Sequence, residues 1–120
     1  MLLKKLHRKI MQDCLQIIKA TSVTLNSTSG QIEITIPQTT LKNNQKYLIT
    51  YAGLIPEISQ PFNYTVVVIN GTTNIPVNQR KGNTLRFDVI DTTIGMKVWY
   101  SSSSSLFTLA NFTRVSAYNE

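Results

Sequence analysis

Two hydropathy periods divide the chain. From about Leu2 to Ala20 the apolar residues recur at helical spacing. At about 100° per residue, Leu3, Leu6, Ile10, Cys14 and Ile17 share one stripe, flanked by Met11 and Ile18. Lys5, Arg8, Lys9, Gln12, Gln16 and Lys19 fall on the opposite side, and neither Gly nor Pro interrupts the segment. The pattern predicts an amphipathic helix over residues 1–20, with Asp13 near the edge of the stripe.

From Thr21 onward the period becomes two. Ile32, Ile34 and Ile36 alternate with Glu33 and Thr35; Tyr47, Ile49 and Tyr51 share one face of Lys46 to Ala52. Thr84 to Ile90 sets Leu85, Phe87 and Val89 against Arg86 and Asp88. Val66 to Ile69 is a continuous apolar run, the mark of a strand buried on both faces. Ser22 to Leu25, Met96 to Ser101 and Leu106 to Val115 supply further strands. The five glycines all fall between apolar runs, and Asn70-Gly71 reads as a type I′ hairpin. Gly82-Asn83 is a second turn, and Ser101 to Ser105 is an exposed loop or strand end. Seven to eight short strands with no helical pattern between them predict a mainly β domain over residues 21–120. The expected architecture is an antiparallel β-sandwich or small barrel, jelly-roll or immunoglobulin-like, behind an N-terminal amphipathic α-helix.

Charge sharpens this division. The chain of 120 residues holds 12 Lys+Arg against 6 Asp+Glu, for a net charge of +6. Residues 1–19 carry Lys4, Lys5, Arg8, Lys9 and Lys19 against Asp13 alone, so most of the surplus sits on the predicted helix. The β region is nearly balanced. Charge interrupts the apolar residues of the N-terminal segment too often for a signal-peptide core, and no run is long enough to span a membrane. Four sequons, at Asn26, Asn63, Asn70 and Asn111, carry little weight in a chain this rich in Ser, Thr and Asn. A single Cys14 cannot form an intrachain disulfide and fits a reducing cytoplasm.

Candidate chemistry is sparse. His7 and Cys14 lie seven helical residues apart, about 10 Å, too far to share a metal ion. No glycine-flanked serine forms a nucleophile elbow, and no phosphate-binding loop can be written through isolated glycines. Asp88 and Asp91 are close in sequence, but Asp88 has Arg86 as its partner on the same strand face and Asp91 opens a turn. These readings predict no enzyme, no cofactor and no metal. Lys42, Lys46, Arg80, Lys81, Arg86, Lys97 and Arg114 are too scattered for a nucleic-acid groove. The helix is then the partner-binding element, through Leu3, Leu6, Ile10, Cys14 and Ile17 with Lys5, Arg8 and Lys9 beside them. Two alternatives stand beside this reading: a glycan-binding adhesin-type module using exposed aromatics such as Trp99 and Tyr100, and a barrel that binds single-stranded nucleic acid.

Residues 41–100 carry a resemblance. In order they read Leu41, Tyr47-Leu48-Ile49, Ile55-Pro56, Pro61, Thr65-Val66-Val67-Val68, Gly71, Ile75-Pro76-Val77, Arg80, Gly82-Asn83, Arg86-Phe87-Asp88 and Val98-Trp99-Tyr100. This order resembles small β-rich virion proteins of tailed bacteriophages, including gut phages of the crAss-like group. The resemblance covers about half of the chain, and its residues are turn and core residues, so no family binding residue carries over. It implies a non-enzymatic auxiliary or decoration protein on the capsid, or a part of a head fibre. The implied partners are the major capsid protein or other virion proteins. The small size of the β domain adds an expected homo-oligomer. Its scattered charge and the want of a membrane-spanning run argue against nucleic-acid and membrane partners. The implied location is the virion, assembled in the host cytoplasm.

Overall fold

A computed structural model describes residues 15–79, 84–90 and 92–110. The described chain is mainly β. Its strands are β1 (Gln16–Lys19), β2 (Ser22–Asn26), β3 (Gln31–Ile36), β4 (Lys46–Thr50), β5 (Thr65–Asn70), β6 (Thr73–Asn78), β7 (Gly95–Ser101) and β8 (Leu106–Leu109). They form one curled sheet of eight strands in the order β1-β4-β7-β8-β6-β5-β3-β2. The inner face gathers the alternating apolar residues. Ile32, Ile34, Tyr47, Ile49, Val68, Val77, Val98 and Phe107 are completely buried in a single cluster. Burial of each such side chain contributes about 1.5–3 kcal/mol, which orders strands that have little intrinsic stability alone. The apolar run of β5 is buried on both faces, with Val66, Val67 and Val68 at 1%, 3% and 0% exposure.

The sheet is mixed, where the sequence predicts an antiparallel one. β1 with β4, β3 with β5, and β6 with β8 run parallel; the other four pairings are antiparallel. A parallel pair cannot be closed by a hairpin and needs a crossover, for which a helix is the usual signal. Here the crossover from β3 to β5 contains β4 and a loop, so no helical pattern announces it. β6 changes partner along its length. Thr73 to Pro76 pair with β5, and Val77 and Asn78 pair with β8. Pro76 lacks a backbone donor and stands where the ladder switches.

The two edge strands are neighbours in the chain. Only Ala20 and Thr21 separate β1 from β2. The Ala20 N–H donates to the Thr50 carbonyl at 2.9 Å, and the Thr21 N–H to the Thr35 carbonyl at 2.8 Å. One continuous segment therefore lines both ends of the curled sheet.

β1 corrects the predicted helix at its C-terminal end. Gln16–Lys19 pairs in register with Tyr47 to Thr50. Ile18 is buried at 5% beside Ile49, while Ile17 points outward at 66% exposure. A helix would place the two isoleucines on one broad stripe, whereas a strand sends them to opposite faces. The β-branched pair and the available edge of β4 favour the strand. Ile17 thus leaves the predicted helical stripe. Its other members, Leu3, Leu6, Ile10 and Cys14, and the basic Lys5, Arg8 and Lys9, lie outside the described residues.

Two further elements differ from expectation. The predicted strand over Thr84 to Ile90 is a pair of single bridges, Asn78 to Thr84 and Thr65 to Arg86, followed by a 3-10 turn at Phe87–Val89. Its neighbours run out: β6 ends at Asn78, and β5 starts at Thr65 behind a second 3-10 turn at Pro61–Asn63. Leu85 still inserts fully into the core. The β5–β6 hairpin forms as predicted, but its two-residue loop is Gly71-Thr72, and of these only Gly71 has positive φ, at 64°. That is the sign pattern of a type II′ turn. Asn70 is freed for another task. Its amide accepts from the Thr39 N–H and donates to the Thr39 carbonyl, both at 2.8 Å, and so clamps the segment that follows β3.

Candidate binding groove on the outer sheet face

The outer face of β4, β7 and β8 is built from the residues that alternate with the core. Met96 and Val98 point inward, so Lys97 and Trp99 point outward. Cross-strand pairing places Lys46 of β4 on one side of Trp99 and Thr108 of β8 on the other. The Lys46 ammonium lies 5.4 Å from the centroid of the indole. That cation–π contact, worth about 0.5–1 kcal/mol at an exposed site, favours this orientation of the ring.

Two loops converge beside this ring. The turn at Asn43-Asn44, before β4, meets the serine hairpin Ser102–Ser105, which joins β7 to β8. Asn44 adopts φ 64°, a conformation that Asn tolerates better than most residues. Its N–H donates to the Tyr100 carbonyl at 2.8 Å, and the Tyr100 N–H donates to the Gln45 carbonyl at 3.1 Å. The Asn43 side chain accepts from the Ser102 N–H at 2.9 Å. The Ser104 hydroxyl reaches that of Ser101 at 2.9 Å, which ties down the base of the hairpin. On the inner face, Tyr100 packs edge-on to Phe107 with centroids 5.5 Å apart.

The result is an open groove of about 430 Å³ lined by Asn44, Trp99, Tyr100, Ser101 and Thr108. Its outward side chains are an indole, a carboxamide and two hydroxyls, with none charged; Tyr100 belongs to the lining while its ring packs on Phe107 at the inner face. Lys46 stands over the indole without lining the groove. Such a surface can stack on a flat face and exchange neutral hydrogen bonds; it offers no general acid or base poised near neutrality.

Other predicted features lie elsewhere. Arg86 and Asp88 form the expected pair at 3.4 Å, and with Arg86 55% exposed the contact contributes at most about 1 kcal/mol. Asp91 and the basic pair Arg80-Lys81 lie outside the described residues, as do His7 and Cys14. Among the described residues no group of three or more His, Cys, Asp or Glu could hold a metal ion. No helix among them is long and apolar enough to cross a membrane. Sequence reasoning singled out Trp99 as an exposed aromatic but paired it with Tyr100, its neighbour in the strand. Asn44 and Thr108, on two other elements, were missed; their only signals are turn propensity and strand alternation.

Compared with known protein families, curated proteins and solved structures, the chain matches none.

Proposed function

We propose that the protein is a non-enzymatic structural component of a tailed-phage particle, an auxiliary or decoration protein held on the capsid. The finer fold reading that accompanies this is a sandwich-like or barrel-like body used as a rigid unit. The carrying observation is the edge strand β1. It ends the sheet and exposes Ile17 at 66%. Ile17 adjoins Leu48 across the ladder, with Lys19 and Lys97 on the same outer face. An apolar centre with basic residues around it is the anatomy of a protein contact site. The resemblance over residues 41–100 is the second ground for the reading; that Tyr47, Val66, Val68, Val77 and Val98 are core residues bears on the β fold alone. Mass spectrometry of particles propagated from the encoding genome tests it. The chain is expected in purified virions at a fixed ratio to the major capsid protein. A chain present in infected cells and missing from purified particles would defeat the proposal.

A further inference from the structure

We propose that the groove beside Trp99 is a binding site for a neutral oligosaccharide. Independently of the virion reading, the side chains of Trp99, Asn44, Ser101 and Thr108 carry the chemistry that such a ligand needs. A pyranose ring presents a flat C–H face and a rim of hydroxyls. The indole of Trp99 supplies a flat apolar partner for the face. The Asn44 carboxamide and the Ser101 and Thr108 hydroxyls supply both donors and acceptors for the rim. A few placed polar groups around an aromatic are the usual composition of a small-molecule site, and the groove's 430 Å³ lies within the common range of about 300–1,000 Å³.

Charge selects among ligand classes. The lining holds neither a carboxylate nor a cation. A phosphate, sulfate or carboxylate would find no cation in the lining itself, the Lys46 ammonium being engaged with the indole 5.4 Å from its centroid, and a cation would find no anion in the lining. The groove is open and edged by amide and hydroxyl groups, which suits a ligand that stays partly hydrated. A chain of sugars fits that description, since it can lie along a rim and leave one side in water.

The site is also ordered before any ligand arrives. The Asn43–Gln45 turn and the Tyr100–Ser102 strand end are joined by three hydrogen bonds of 2.8, 3.1 and 2.9 Å. The Lys46 ammonium, 5.4 Å from the ring centroid, biases the indole toward one orientation. Fixing the groups in advance reduces the entropy lost on binding. Lys46 is therefore a positioning residue for the groove.

Trp99 is the only tryptophan in the chain, so tryptophan emission excited outside the absorption of the five tyrosines reports on this site. The full-length protein is titrated with neutral hexasaccharides of glucose, N-acetylglucosamine, mannose and galactose, and with acidic counterparts, each to about 10 mM, a range set by the millimolar affinity expected of an open site. At least one neutral hexasaccharide is expected to give a saturable shift of the emission. Thr108→Arg, which fills the groove from a half-buried position on the outer face of β8, is expected to weaken binding at least tenfold while the protein keeps a cooperative thermal transition. Lys46→Met is expected to weaken it two- to fivefold. Trp99→Ala, followed by calorimetry, is expected to abolish it. The proposal is overturned by any of three results: no neutral sugar produces a saturable response, the acidic sugars bind more tightly than the neutral ones, or Thr108→Arg and Trp99→Ala both retain full affinity. A thymidine oligonucleotide that shifts the emission at low salt, when no sugar does, would assign the indole to single-stranded nucleic acid instead.

Discussion

Gly95 sets how closely β7 approaches β4. It faces Thr50 across the ladder, and a Cβ built on it would collide with the Ile49 carbonyl oxygen and stand 2.9 Å from the Thr50 Cα. Both obstacles are backbone, so neither can swing aside. Gly95→Ala is expected to lower stability by about 2–3 kcal/mol, the upper part of the overpacking range, read as a drop in the urea midpoint at unchanged slope. Asn70 illustrates a different use of a residue. Sequence logic assigns it to the turn because Asn-Gly is the commonest hairpin dipeptide. The structure spends its carboxamide on Thr39, thirty-one positions away, where it imitates one rung of a ladder. Tyr47 shows the same economy: its ring is fully buried and its hydroxyl accepts from the Lys42 N–H at 2.8 Å. These contacts were illegible from spacing, because each joins residues whose separation follows no period.

At the scale of elements, alternation announced the strands well and their partners poorly. β3, β4, β5 and β7 were legible because each repeats large apolar residues at period two or runs apolar on both faces. The direction of pairing was not, since a sheet of either kind buries the same residues. β1 was hidden for a related reason. Four residues are too few to establish period two, and the preceding apolar spacing extends a helical pattern across them. The two isoleucines of β1 separate the strand from the helix by experiment. Ile18→Ala is expected to cost about 2–4 kcal/mol, and Ile17→Ala less than about 0.5 kcal/mol, in paired denaturant titrations. Comparable losses at both positions would contradict the strand. The groove follows the same division. Trp99 was visible as an aromatic on an alternating strand, whereas its companions come from the turn before β4 and from β8, which only the folded sheet brings together.

For the whole molecule, the controlling fact is that β7 bridges the two parts of the sheet. It lies between β4 and β8, and without it β1 and β4 have no hydrogen-bonded link across the ladder order to β8, β6, β5, β3 and β2. A chain truncated before Gly95 is expected to lose cooperative unfolding and to be cleaved rapidly by protease at concentrations that leave the full chain intact. A truncated chain that keeps the sharp thermal transition of the parent would show that β7 is dispensable. Pairings such as Lys46 with Trp99 also span much of the sequence. Such distant contacts predict slow folding, in the range of milliseconds to seconds typical of β domains.

The segment that lines both ends of the sheet has a consequence for synthesis. During translation, β1 and β2 emerge before the other strands among the described residues. β2 finds β3 at once, because a short hairpin joins them. β1 must wait for β4, and β4 for β7, which leaves the ribosome some fifty residues later, several seconds at the common rate of about 5–20 residues per second. β1, made before the other described strands, is therefore among the last of them to be seated. Through that interval Ile17 and Ile18 travel uncovered on the nascent chain, and the final strands, by admitting β4 to the sheet, decide when they are sheltered.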